Sequence, residues 1–321
     1  MGHYILRRTG SALLTILIVL VLNFFIIHLA PGDPIRILAG IEQPAPEMVK
    51  ALQQRYGLDK PVWVQLFDYI RNILHGDLGR SIISDQPVAR LVLERLSATL
   101  LLTLTASLIG FIIGTAMGTW SATRYSSRSD LVWSFIWYVF YSMPTFWLGL
   151  MLILLFASTL HVLPTSGMTD LRAGYTGLMH YLDVARHLVL PALSIALVEI
   201  PVYYRITRSS VVQVLNDDFV TTFRATGMNR SKIFRKYALK NAILPTLTVF
   251  GLQLGYVVTG AALAEIVFSW PGMGRLMLSA VMQRDYPLLM GIYLMMAVSV
   301  SAMILLTDVL YAVLDPRIRY R

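Results

Sequence analysis

Cysteine is absent from the 321-residue chain. Disulfides, thiolate metal sites, iron–sulfur ligands and a cysteine nucleophile are therefore excluded. Charge is scarce as well: 14% of residues are Asp, Glu, Lys or Arg, where a soluble domain carries about 25%. With 56% hydrophobic residues, the composition is that of an integral membrane protein. No phosphate-binding pattern of Gly, four residues and Gly-Lys-Ser/Thr occurs, so the chain is not expected to bind ATP alone. No His-Glu-x-x-His zinc pattern occurs, and the six histidines show no metal-ligand spacing. His161, His180 and His187, which border one outer loop, read as ordinary surface or interface histidines. No internal repeat of the kind secondary transporters show is visible, and nothing assembles a nucleophile, a base and an orienting group.

What is present is a set of long apolar runs. Six are long enough to cross a bilayer as helices, at roughly 10–30, 98–120, 131–157, 187–207, 246–267 and 287–313. The first follows Arg7 and Arg8, but its apolar core is too long for a cleaved leader, and it reads as an uncleaved span. Lys and Arg set the orientation. With the N-terminus inside, the inner segments hold 15 of them and the two short outer loops hold 4, which places both termini in the cytoplasm. The net charge of +9 is thereby mostly a topology signal, and a nucleic-acid partner is not expected. The chain divides into the first span with a long outer loop (1–97), a five-helix core (98–313) and a short tail (314–321).

Within the outer loop, "PVWVQLFDYIRNIL" puts Trp63, Leu66, Phe67, Ile70, Ile73 and Leu74 on one helical face after Pro61. Such a helix lies in the membrane interface or caps the bundle. Gly110, Gly114 and Gly118 recur every four residues and make a smooth face for close helix packing, within this chain or against a partner. Pro144, Pro191 and Pro201 fall inside spans and are expected to kink them.

One segment does not fit a plain bundle: "DDFVTTFRATGMNRSKIFRK", 217–236. Asp217 and Asp218 suit a helix first turn. Phe219, Val220 and Phe223 make a short apolar face with two exposed aromatics, and Gly227 permits a sharp reversal. A second helix follows with Ile233, Phe234 and Tyr237 on one side and Arg230, Lys232, Arg235 and Lys236 on the other. The pattern is an L-shaped pair of short amphipathic helices, suited to a groove on a cytoplasmic partner. Three carboxylates also lie within spans. Asp308 is near the inner end, Glu265 near the outer end, and Glu199 deepest. An ionisable group at that depth costs roughly 2.5–3.5 kcal/mol and normally faces water or a bundle interior.

The 217–240 segment resembles the cytoplasmic coupling loop of the permease subunits of ABC importers, in which Glu-Ala-Ala, three residues, Gly, nine residues and Ile-x-Leu-Pro recur. Gly227 takes the glycine position, and Tyr237 and Leu239 follow at the expected distance. Thr221, Thr222 and Phe223 occupy the name-giving positions instead of Glu-Ala-Ala. Across the whole chain, "APGDP", "YGLDKP", "HGDLGRS", "SMPTFWLGL", "VLPTSG", "HLVLPALSIA", "KNAILP", "FSWPGMGRL", "RDYPL" and "LYAVLDPRIRY" occur in the order of the dipeptide, oligopeptide and nickel permease group. They match the first of its two permease subunits. The resemblance implies an all-α, six-span fold of the type I ABC importer permease, with a helical extracytoplasmic loop after span one. It implies a multi-pass protein of a prokaryotic inner membrane that is not itself an enzyme. It implies a second homologous permease in a heterodimer, two cytoplasmic ATPases that bind ATP and magnesium, and an external solute-binding protein. Asp218, Phe219, Phe223, Arg224, Ala225, Gly227 and Ile233 would couple to an ATPase, and Glu199 and Glu265 would border the translocation path. Peptides, glutathione and chelated nickel remain open as cargo, and a stand-alone secondary transporter is the distant alternative.

Overall fold

The computed structural model describes residues 2–29, 59–257 and 261–314, together with Glu47, Lys50 and Gln54. The motif "APGDP", most of the outer loop up to residue 58, the tail and the Asp308 side chain lie outside the described residues. The architecture is helical. Among the described residues the only extended pairing is one isolated bridge between Arg80 and Pro87. In lipid a spanning chain must satisfy every backbone amide internally, which a helix does.

Two units divide the chain, one formed by 1–99 and 271–321 and the other by 100–270. In the first, α1 (Gly2–Leu29) packs along α12 (Tyr286–Leu314), and α11 (Met273–Gln283) packs on α12. Ile27, Val88, Val92, Met273, Ala280, Leu288, Leu289 and Ile292 form its core. The helix expected after Pro61 is α2 (Val62–Leu74). It buries none of its residues, and Trp63 and Phe67 are 72% and 67% exposed, as an interfacial helix requires. Phe25 meets Trp63 edge-on at 5.5 Å, and Phe24 stacks on Tyr69 at 6.1 Å.

Two of the short motifs meet here, which their separation in sequence hides. Asp285, 1% exposed, accepts hydrogen bonds from Ser81 Oγ at 2.5 Å and from the Ile82 amide at 3.1 Å. A buried carboxylate needs such donors. "HGDLGRS" and "RDYPL" are thus two halves of one structural lock.

In the second unit, α3 (Val88–Ala122), which enters it at residue 100, is followed by α4 (Arg128–Ser142), α5 (Thr145–Leu152), α6 (Leu178–Leu215) and α9 (Leu244–Tyr256). The glycine face of α3 packs against α6. A Cβ on Gly114 would lie 2.6 Å from the Ile200 carbonyl oxygen, and one on Gly118 would lie 2.6 Å from the Tyr204 carbonyl oxygen. The close packing is therefore within this chain.

The prolines behave differently from one another. Pro144 breaks the third run outright. Met143 is extended, as a residue before proline tends to be, and the helices on either side differ in direction by 103°. Pro191 and Pro201 instead sit inside a continuous 38-residue α6. Their neighbours Leu190 and Ile200 are buried, so packing holds the helix through the missing amides. Among the described residues four helices are long and apolar enough to span, or five with the bent pair counted as one. The expected fifth run, 246–267, holds the 13-residue α9, and residues 258–260 within it lie outside the described residues.

Candidate coupling surface and intramembrane polar site

The 217–240 segment folds as the glycine suggested. α7 (Asp218–Ala225) ends with the Gly227 amide donating to the Arg224 carbonyl at 3.0 Å and the Met228 amide donating to the Phe223 carbonyl at 3.1 Å. This paired bond pattern needs a left-handed residue at its turn, and Gly227 has φ +79°. Asn229 restarts the chain, its side chain accepting from the Ser231 amide at 2.8 Å. α8 (Arg230–Lys232) runs on through a π-helical stretch, Ile233–Ala238, and a last turn, Leu239–Ala242. Neither the Asn229 cap nor the π-helical stretch was read from the sequence. Asn two residues before Ser was the available signal for the first.

The arms are held by packing beneath and charge outside. Val220 and Ile233 are 0% and 2% exposed. Ile233 therefore anchors its arm rather than offering surface. Phe219 and Phe223, expected to be exposed, are half-buried. Phe223 lies 4.6 Å from the Tyr237 ring, and Phe219 meets Phe223 at 6.1 Å. Asp218, Arg224, Ala225, Gly227, Arg230, Lys232, Arg235 and Lys236 face solvent. A cavity of about 330 Å³ between the arms is lined by Arg224, Arg230, Ser231 and Phe234, among others. The resulting surface is basic and preformed, and can seat a partner with acidic or amide acceptors.

Below it lies a buried ion pair that no motif signalled. Asp130, 0% exposed, receives two hydrogen bonds of 2.7 Å from the Arg208 guanidinium, one of 3.0 Å from the Ser126 amide, and one from Ser121 Oγ. Tyr204 shares its hydroxyl with Ser121 at 2.7 Å and with Ser134 at 2.8 Å. Two oxygens and at least four donors satisfy this carboxylate, which is what burying it demands. The network ties the ends of α3 and α4 to α6, the helix that leads through Asn216 and Asp217 into α7 of the coupling segment.

Glu199, also on α6, is half-buried. Its Oε1 accepts from Ser107 Oγ on α3 at 3.2 Å and from Gln253 Nε2 on α9 at 3.4 Å, while the buried Oε2 has no partner among the described residues. Gly110 makes the room: a Cβ there would sit 3.0 Å from Glu199 Cβ. No cation reaches it from its own helix, since Arg208 is committed to Asp130 and Arg205 lies against Tyr141. Glu265 is placed differently. It lies within the short α10 (Ala262–Val267) and is 0% exposed. The structure does not bring Glu199, Glu265 and the coupling segment into one site.

Comparison with known proteins gives consistent results. The family described as "Binding-protein-dependent transport system inner membrane component" matches residues 106–320, and its N-terminal companion matches residues 1–105. The dipeptide transport system permease protein DppB of Escherichia coli K12 is 38% identical over 338 residues, covering 100% of both chains. The glutathione transport system permease protein GsiC of Salmonella choleraesuis is 37% identical over 321 residues, again covering 100% of both. A solved chain of the inward-facing MetNI methionine ABC transporter superimposes with a TM-score of 0.56 at 16% identity, covering 71% of this chain and 97% of that one. The likeness shows a shared fold, that of a type I ABC importer permease.

Proposed function

Because the chain belongs to the inner membrane components of binding-protein-dependent transport systems, we propose that it is the translocating subunit of an ATP-driven peptide importer. The end-to-end 38% identity with a dipeptide permease carries this reading. In it the chain makes no chemistry of its own. It pairs with a second permease of the same kind as a heterodimer. ATP and magnesium bind to two cytoplasmic ATPase subunits, and an extracytoplasmic binding protein delivers di- and oligopeptides. Both termini and the 217–240 segment face the cytoplasm, and residues 31–97 face outward.

The helix pair around Gly227 is the coupling element of this assembly. Its solvent-facing Asp218, Arg224 and Ala225 seat in an ATPase cleft, with the aromatic cluster of Phe219, Phe223 and Tyr237 bracing them from behind. α7 follows α6 after Asn216 and Asp217, so a push on α7 acts on the helix that carries Arg208 and Glu199. Glu199 borders the path. α6 residue 199 lies twelve residues beyond His187, about 18 Å along the helix, close to the middle of a hydrocarbon core about 30 Å thick. The unpartnered Oε2 can accept from a peptide ammonium as it passes.

Glutathione is the second cargo reading, favoured by the 37% identity with a glutathione permease over its full length. The deciding experiment is uptake by the assembled complex, in cells lacking other peptide permeases, of labelled dipeptides, tripeptides, glutathione and a nickel chelate. Saturable, ATP-dependent uptake of the first two supports the proposal. Assembled complexes that carry only glutathione or the chelate would overturn peptide cargo, and uptake that persists without the ATPases would overturn the importer reading.

A further inference from the structure

We propose that the outer tip of α6 is the surface on which the cargo-delivering protein docks, and that α6 joins this surface to the coupling segment as one continuous helix. This rests on the importer reading above. α6 is 38 residues long, about 57 Å at 1.5 Å per residue, where the hydrocarbon core is about 30 Å thick. Its charges say which part projects. Arg186 and Arg205 are both exposed, and the helix between them is about 28 Å long, so they mark the two faces of the core. Leu178 lies two turns beyond Arg186, about 12 Å further out. Headgroups occupy only about 5–8 Å outside each face. A helix tilt of about 40°, the top of the usual range, still leaves Leu178 about 9 Å out. The tip therefore stands in water, beyond the lipid.

What the tip shows to that water is apolar. Leu178, Met179, Tyr181 and Leu182 are 73%, 60%, 71% and 56% exposed, and Leu171 and Tyr175 in the loop before them are 91% and 49% exposed. Single apolar side chains on a surface are ordinary, but so many in one short stretch mark a contact with another protein. Arg172 and His180, exposed among them, supply the polar rim such a contact has. The stretch is also held in place. The Asp170 amide donates to Asp183 Oδ2 at 2.7 Å, the Arg186 guanidinium to the Val162 carbonyl at 3.0 Å, and the Gly167 amide to the Phe268 carbonyl at 2.8 Å. A preformed surface loses little freedom on binding. A second permease packed along α6 would follow the helix down into the bilayer. There its own chain already covers it: Val184, His187, Leu190, Pro191 and Ala192 are buried, and of the large apolar side chains described between Arg186 and Arg205 only Val189 is exposed, at 37%. The occupant that meets the tip and stops there is a water-soluble protein arriving from outside with an apolar patch of its own. The family to which the chain belongs depends on a binding protein. At its other end α6 stops at Leu215, and α7 of the coupling segment begins at Asp218. Docking outside and coupling inside are thereby the two ends of one helix.

The test uses the assembled complex in lipid nanodiscs and the cysteine-free background of this chain. Leu178→Cys and Met179→Cys are treated with a water-soluble, membrane-impermeant maleimide, and labelling is read on this chain by mass. The probe is purified binding protein loaded with a dipeptide, the one that supports uptake by the wild-type complex. Both cysteines should label rapidly without it. At about ten times its half-saturating concentration they should label about tenfold more slowly, since about a tenth of the sites stay free. Met179→Glu puts a charge into the contact. It should raise the binding-protein concentration for half-maximal ATP hydrolysis about tenfold with the maximal rate near wild type, and Met179→Leu should not. Cysteines that stay unlabelled without the binding protein, as lipid, a second permease or the chain's own outer loop over the tip would make them, overturn the surface. Labelling unaffected by a binding protein that still stimulates hydrolysis overturns the docking assignment alone, as does a Met179→Glu complex whose half-maximal concentration is unchanged. Uptake by the wild-type complex that needs no binding protein sinks the importer reading itself, and the docking assignment with it.

Discussion

The seam between α3 and α6 makes a sharp prediction, because what a methyl group would strike there is backbone. In Gly114→Ala the new Cβ sits 2.6 Å from the Ile200 carbonyl oxygen, 2.7 Å from Tyr203 Cβ and 3.1 Å from the Tyr204 amide. Ordinary contact begins at 3.4 Å, so the helices must part by about 0.8 Å along this edge. None of these atoms can rotate away. Overpacking of this kind costs about 1–3 kcal/mol. Alanine also raises helix propensity by about 1 kcal/mol over glycine, which would mask part of the cost. Gly10→Ala removes that ambiguity. Gly10 is helical too, and a Cβ there meets nothing within 4 Å. The difference between the two variants isolates the clash, and Gly114→Ala should be less stable than Gly10→Ala by about 1–3 kcal/mol. Unfolding in mixed micelles by SDS titration, followed by tryptophan fluorescence and circular dichroism, measures it. Equal stability of the two variants would refute the close approach of α3 and α6.

Four further outcomes are expected. Asp130→Ala strands Arg208 and should cost about 3–5 kcal/mol; the paired change Asp130→Asn with Arg208→Met should recover over half of that in the same titration, and no recovery would mean the pair is not the issue. Gly227→Trp forces a bulky residue into a left-handed turn with φ +79°, so the chain should still insert while cargo-stimulated ATP hydrolysis falls; complexes working at wild-type rates would remove the segment from coupling. Lys60→Cys should label from outside in intact cells and Asn229→Cys should not, and the reverse pattern would invert the topology. Glu199→Gln should reduce uptake of peptides with a free amino group more than that of N-acetylated ones, and an equal effect on both would leave Glu199 a packing residue.

Much of this protein is legible in its sequence because the bilayer is a severe solvent. Lipid accepts long apolar helices and little else, so composition alone led to an all-helical membrane protein. The order of short motifs led to the importer permeases. Local backbone chemistry was legible for the same reason that it is local: the stop at Gly227 depends on a few residues and on the freedom of glycine at positive φ. The glycine ladder on α3 declared a close packing face but not its partner, since spacing describes one helix and contact needs two.

Tertiary structure decided the rest. Pro144 and Pro201 look alike in sequence, yet one breaks a helix and the other does not, because burial of the neighbouring residues decides whether a missing amide is tolerated. Phe219 and Phe223 read as exposed until Tyr237, fourteen residues beyond Phe223, folded back against them. Asp130 and Arg208 are 78 residues apart, and Ser81 and Asp285 are 204 apart. A polar group in a span announces only that it needs a partner. Which residue answers that need is settled by the packing of separate helices, a property of the folded chain that no local window of sequence contains.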